Sequence, residues 1–405
     1  MSVRIDGAPQ IGAIVGLAAV IVVAGRIVVA GGGNVASFIL VGRHFATPGR
    51  LPRGVPVFPG FGYDGQFYYR LALDPLNLRP RAYGIHVDSV ARFGRISYPA
   101  LAWLVSGGRT WLVPWSLVSV NVAGLVMLGV LGAVLAGDVG RHAAWGLLLP
   151  AYFGFLWSLS RDLTEIVAGG FMVLGLLAVR RGRSVLAGVA LSVGLLARET
   201  VVLVVVLLAA EPAISAFRHR ICRARSSTKA STGTGASTAL PLPGRGGTRS
   251  IAWILPMGVF VAWQLVVRSK AGSLAVASSG HHNLAVPFAG ITDGLRHYLS
   301  RLPSSGSLLW TAELLVLVVV VVTAAVSLRT TTAPYYERVV WMGYAIMPLV
   351  LARGIWLGDV GFRSLDDLYV MSWVILLSSR VRLGLATLGI GVSWLAVAVE
   401  LVRFI

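Results

Sequence analysis

The sequence predicts an all-α integral membrane protein with about eleven transmembrane helices, within a range of about nine to twelve. Three observations carry this. Of the 405 residues, 56% are hydrophobic and 13% charged, and mean hydropathy is +0.79, well outside the balance of a soluble domain. Apolar runs of membrane length recur along the chain. Arginines cluster in alternate short turns, as expected where cytoplasmic loops are basic.

A stub with Arg4 leads into the apolar run 11–30, which Arg26 interrupts and which reads as an uncleaved signal anchor. Further spans are expected at 112–136, 143–159, 164–179, 184–197, 200–215, 251–268, 307–327, 338–352, 367–379 and 384–401. Several are short for a hydrocarbon core of about 30 Å, so boundaries must extend or some pieces must be re-entrant. The apolar segment Tyr98–Val105 is expected to be half-buried.

With the N-terminus inside, Arg141, Arg180, Arg181, Arg183, Arg218, Arg220, Arg223, Arg225, Arg329, Arg338, Arg380 and Arg382 fall on the cytoplasmic side. Most carboxylates fall outside. Two outer loops are long, 31–97 and 269–306, and loops of that length are usually functional or disordered. The first holds Phe58, Phe61, Tyr63, Phe67, Tyr68, Tyr69 and Tyr83, too aromatic for a tether, and is expected to fold onto the membrane surface, partly as helix. Residues 226–250 form a Ser/Thr/Gly/Ala/Pro tract that reads as a flexible cytoplasmic linker. The expected organisation is an N-terminal module 1–225 containing the loop 31–97, the linker 226–250, and a C-terminal bundle 251–405 containing the loop 269–306.

The formal charge of +19 is explained by topology, because the basic residues are scattered between apolar runs rather than gathered on one nucleic-acid-binding surface. Cys222 is the single cysteine, so no intrachain disulfide can form. The seven histidines lack metal-ligand spacing, and no structural metal is expected. The chain contains no P-loop and no strand followed by G-x-G-x-x-G, so any energy must arrive with the substrate.

Chemistry-bearing residues gather at the outer ends of the spans. Asp64 lies in Gly62-Tyr63-Asp64-Gly65, which can present a carboxylate to a cleft or simply form an Asp-Gly turn bonded to its own backbone. Beside it, Tyr63, Gln66, Tyr68, Tyr69 and Arg70 offer donors and ring faces for a polyhydroxylated or phosphate-bearing ligand. Arg92 and Arg95 stand where the chain re-enters the membrane, placed to grip a phosphate or to snorkel to headgroups. The i, i+3 spacing of Asp162 and Glu165 predicts one shared helical face, with Arg161 to neutralise them. Arg198 and Glu199 sit between long apolar runs, where an unpaired charge is expensive. Arg353, Asp359, Arg363, Asp366 and Asp367 bracket a later outer turn. Trp103, Trp111, Trp115, Trp310 and Trp356 near span ends read as interfacial anchors.

The string Gly62-Tyr63-Asp64-Gly65-Gln66-Phe67-Tyr68-Tyr69, with Asp74-Pro75 and Arg95-Ile96-Ser97-Tyr98-Pro99 after it, resembles a group of bacterial multi-spanning proteins related to GT-C glycosyltransferases. The likeness covers most of residues 1–220, and the Arg363 to Tyr369 region is similar too. The resemblance implies a GT-C-like fold in the plasma membrane of a bacterium and Asp64 as the first-loop catalytic aspartate. It further implies a sugar donor on polyprenyl phosphate, a glycan or glycolipid acceptor, and hexosyl or pentosyl transfer outside the cytoplasm. Many members carry paired acids here, whereas Asp64 stands alone, which favours a single base over a metal-assisted mechanism. No cofactor or divalent metal is then expected. Arg92, Arg95, Arg198 and Arg363 would hold the phosphate, with Glu199, Asp162 and Glu165 orienting arginines or binding sugar hydroxyls. A transporter or flippase of a lipid-linked glycan, or a non-catalytic envelope assembly protein, are the alternatives.

Overall fold

The computed structural model describes residues 7–210, 250–279, 283–357 and 361–380, and these are mostly helical. The first helix, α1 (Ala8–Val29), begins at a proline and buries a stripe of Ile11, Val15, Ala19 and Val23 at helical spacing. That stripe lies on α4 (Val113–Asp138), and the approach is close because Gly12 and Gly16 face Val130 and Val126 while Gly129 faces Val15. The opposite side of α1 leaves Ile14, Leu17, Val20 and Ile21 exposed, a face suited to hydrocarbon.

Between α1 and α4 come α2 (Gly65–Leu73) and α3 (Ser97–Ser106). After α4 follow α5 (Phe153–Leu159), α6 (Glu165–Arg180), α7 (Ser184–Ala197) and α8 (Glu199–Ala210). The later part comprises α9 (Ile251–Ala271), α10 (Ala275–Ser279), α11 (Ala289–Leu299), α12 (Ser305–Ser327), α13 (Tyr335–Ile346), α14 (Arg353–Trp356) and α15 (Asp366–Leu377). Helix α9 packs on α7, α12 and α13 pack on α15, and α15 packs on α6 and α4, so the later helices are built directly onto the earlier ones.

Four helices among the described residues are long and apolar enough to cross a membrane: α1, α4 with its leading turn (Thr110–Asp138), α9 and α12. Helices α7 and α8 are apolar but shorter. Expected span 184–197 coincides with α7, and 164–179, 112–136, 251–268 and 307–327 fall within three residues of α6, α4, α9 and α12. Segment 143–159 departs from the expected continuous helix. It is a 3-10 turn at Ala143–Leu148, a break, and then α5. Pro150 lacks the N–H that would continue a helix, and Gly146 lies against the Ala133 backbone so tightly that a Cβ there would stand 2.2 Å from its nitrogen. Segment 338–352 likewise ends its helix before Pro348. The linker tract 226–249, the span 384–401, and Cys222, His281, His282 and Asp359 lie outside the described residues.

The loop 31–97 also differs from expectation. It is partly helical, but all nine residues of α2 are buried, so this helix runs through the protein rather than lying along a membrane surface. Its sequence explains this: Phe67, Tyr68, Tyr69, Leu71 and Leu73 leave no polar face, and Gln66 and Arg70 each bond inward to loop backbone. Gln66 accepts from the Gly42 N–H at 3.0 Å and donates to the Phe61 carbonyl at 2.9 Å. Arg70 donates to the Arg79 carbonyl, and its guanidinium lies 5.3 Å from the Phe93 ring centre. Short strands brace the loop: β1 (Val41–Gly42) runs parallel to β2 (Val57–Phe58), and β3 (Arg81–Ala82) antiparallel to β4 (Ile85–His86). Trp103, Trp111 and Trp115 are exposed. Trp310 and Trp356 are buried instead, the Trp310 ring stacked on Tyr298 at 4.6 Å.

Candidate functional site

Asp64 stands at the start of α2, where its backbone carbonyl accepts from the Phe67 N–H at 2.9 Å. The approach to it requires Gly62, whose φ is +65° and whose added Cβ would meet the Leu40 carbonyl oxygen at 2.2 Å. The carboxylate does not cap its own helix, which removes the simple Asp-Gly turn as an account of this residue. One oxygen, Oδ2, instead meets Arg92 at 2.8 Å and Arg363 at 3.2 Å. Burial alone would raise the acid's pKa, but the guanidiniums of Arg92 and Arg363, with Arg95 further off, outweigh it and hold it at about 2.

Each of these arginines has a second carboxylate. Arg92 grips Asp88 through two nitrogens at 3.0 and 2.9 Å, an i, i+4 pair, and lies 5.1 Å from the Phe67 ring centre. Arg363 reaches Glu165, at the start of α6, at 3.2 Å. Its guanidinium lies 5.0 Å from the Tyr63 ring centre, and that of Arg161 lies 5.2 Å from the same centre. The loop is seated against the α5–α6 turn by Gly65, where a Cβ would stand 2.2 Å from the Arg161 carbonyl oxygen. This close approach is what carries Asp64 to the same end of the bundle as Glu165.

A second layer lies beside the first. Arg95 holds Glu199 through two nitrogens at 2.9 and 2.6 Å and donates to the Tyr68 hydroxyl at 3.1 Å. Arg198 is paired with Asp366, at the start of α15, and both are buried. Asp64, Tyr63, Arg92, Glu165 and Arg363 therefore form one cluster, with Arg95, Glu199 and Arg198 in neighbouring pairs.

Three expected ligand contacts have other occupations. Gln66 and Tyr69 are each 1% exposed, and Gln66 spends its amide on bracing the loop backbone. Asp162 does not share a helical face with Glu165, because α6 begins only at Glu165 and Asp162 precedes it in a left-handed conformation with φ +51°. Fully buried, it faces Arg26 and the Tyr98 hydroxyl. Arg363 pairs with Glu165, and Arg26 is the cation facing Asp162. Sequence reasoning passed over Asp88 as a participant, and named Asp366 in a later outer turn without a partner. Asp88 had a legible signal in its i, i+4 spacing from Arg92. Asp366 had none beyond its place ahead of an apolar run.

An apolar cavity of about 240 Å³ lies between α1, α4 and α5, lined by Ile14, Val22, Leu125, Phe155 and Leu159 among others. Its wall at Leu159 ends two residues before Arg161. Among the described residues no three His, Cys, Asp or Glu side chains are grouped to hold a metal ion. Comparison of the chain with protein-family models, curated proteins and solved structures gives no match in any of the three.

Proposed function

We propose that this chain is an integral-membrane glycosyltransferase of GT-C type. It transfers a sugar from a polyprenyl-phosphate donor to a cell-envelope acceptor, at the extracytoplasmic face of a membrane crossed about eleven times. One observation carries the reading: Asp64 from the first loop, Arg92 from its end, Glu165 from the middle of the chain and Arg363 from near its end converge in one partly accessible cluster. Buried or half-buried charges in an apolar protein are costly and mark functional sites by default. The apolar cavity, whose lining reaches Leu159 two residues before Arg161, supports a ligand with a hydrocarbon chain and an anionic head.

In this mechanism Asp64 accepts the proton of the acceptor hydroxyl as its oxygen bonds to the sugar's anomeric carbon. The bond from that carbon to the phosphate oxygen breaks with inversion, and the phosphate leaves with the electron pair. Arginines stabilise the growing charge on the phosphate. Arg363 and Arg92 are the nearest to Asp64, with Arg95 and Arg198 further out. Tyr63, beside them, offers a ring face and a hydroxyl to the sugar.

The test is mass spectrometry of lipid co-purified with the protein, followed by turnover with that lipid. Co-purified polyprenyl-phosphate sugar that is consumed on adding acceptor supports the enzyme. The same lipid bound but never turned over supports a carrier, and its absence contradicts both.

A further inference from the structure

We propose that the Asp64 carboxylate occupies the seat of the donor's phosphate: Arg92 and Arg363 exchange Asp64 for a phosphate oxyanion, and the exchange is what makes Asp64 a base. The inference rests on the glycosyltransferase reading and deepens it.

The geometry is that of a substitute ligand. Two guanidiniums, 271 positions apart in sequence, converge on the single oxygen Oδ2 of Asp64, as they would on one phosphate oxygen. Neither arginine depends on Asp64 for its position. Arg92 stays anchored by its two-nitrogen grip on Asp88, and Arg363 by Glu165 and the Tyr63 ring, so both remain aimed when Asp64 lets go. Of the two acids on Arg363 the exchangeable one is the more accessible, while Asp88, 30% exposed, keeps Arg92 through its two-nitrogen grip. The Asp64 side chain is 17% exposed, against 4% for Glu165, so an incoming anion meets Asp64 before the carboxylate that anchors Arg363.

The exchange also resolves a chemical difficulty. A carboxylate shared by two guanidiniums is a poor proton acceptor, and a useful general base has a pKa nearer the working pH. Asp64 faces Arg92 and Arg363 directly and Arg95 at longer range, with Tyr63 beside it, and this surrounding holds it near 2. Once a phosphate takes the two cations, the released Asp64 regains basicity and turns to the acceptor hydroxyl, which attacks the anomeric carbon from the face opposite the phosphate. Without donor it is inert. The consequence is an ordered reaction in which acceptor is activated only when donor is present.

Full-length protein in nanodiscs provides the test, with a polyprenyl monophosphate as probe and inorganic phosphate as a parallel ligand. Removing the competitor should tighten binding, so Asp64→Asn should bind the polyprenyl phosphate at least ~10-fold more tightly than the unmodified protein. Asp74→Asn, which removes an equal charge from the same loop, should stay within ~2-fold, and Arg363→Gln should bind at least ~10-fold more weakly. Unchanged or weaker binding by Asp64→Asn overturns the exchange, as does equal tightening by Asp74→Asn. Tightening toward inorganic phosphate alone preserves the exchange and sinks the lipid donor, whereas no binding of either probe by any variant sinks both.

Discussion

Helix α6 carries an ion pair at each end, roughly 22 Å apart along its axis, and the two are built differently. At its start, Glu165 shares Arg363 with Asp64, and Asp64 in turn shares Arg92 with Asp88, so every cation has two acids. At its far end Arg180 gives its Nε to one oxygen of Glu337 at 2.5 Å and a second nitrogen to the other, and also donates to the Ser378 hydroxyl at 2.9 Å. Glu337 is 0% exposed, while Asp64 is 17% exposed. The closed pair pins α13 to α6 and offers nothing to a ligand. The shared network is open to solvent and can trade one partner for another. Both join early and late parts of the chain, so an ion pair bridging distant segments is not by itself the mark of a site; sharing and access are.

Substitutions at the two ends should separate these roles. Glu337→Gln leaves the Arg180 charge buried without its acid, and the expected loss of stability is about 3–5 kcal/mol, read as a lower midpoint in thermal unfolding in detergent. A drop under about 1 kcal/mol would place the far-end pair in the same class as the site network. Acid should act next, on Asp64. Asp64 is held below its ordinary pKa, so its contribution to stability is present above pH ~4 and disappears as pH falls toward about 2. That contribution is on the order of 2 kcal/mol, and Asp64→Asn should lack this part of the acid transition. Arg363→Gln should cost less than Glu337→Gln, about 1–3 kcal/mol, because Asp64 keeps Arg92 and the buried Glu165 keeps the Ser158 hydroxyl at 3.3 Å, yet should lower transfer activity at least ~10-fold. A large stability loss with unaffected turnover would assign Arg363 to scaffolding.

Much of the helical framework is legible because the length of an apolar run is a local property: α7 falls where its run begins and ends, and the arginine-flanked boundary of α6 falls within a residue of expectation. The break at 149–152 escapes a hydropathy reading because it depends on backbone, namely the missing N–H of Pro150 and the contact at Gly146. In the site, Asp64 stands out as one acid in an aromatic, glycine-flanked loop, and Arg92 and Arg363 as cations beside apolar runs. Their mutual contact does not, since Asp64 and Arg363 are 299 residues apart and nothing local joins them. Gln66 and Tyr69 mislead for the converse reason. A polar residue beside a candidate acid looks like a ligand contact until the burial of α2 turns it into a brace for its own loop. The buried position of Glu313 within α12 was also hidden, because a single acid barely lowers the hydropathy of a run that long.

The central claim is that Asp64 is the base of a lipid-linked sugar transfer, and its most direct test is transfer from polyprenyl-phosphate sugars by the unmodified protein and by Asp64→Asn at equal membrane insertion. Loss of the base should lower the rate by roughly 10²–10⁴-fold while donor still binds. Undiminished transfer by Asp64→Asn would contradict the account.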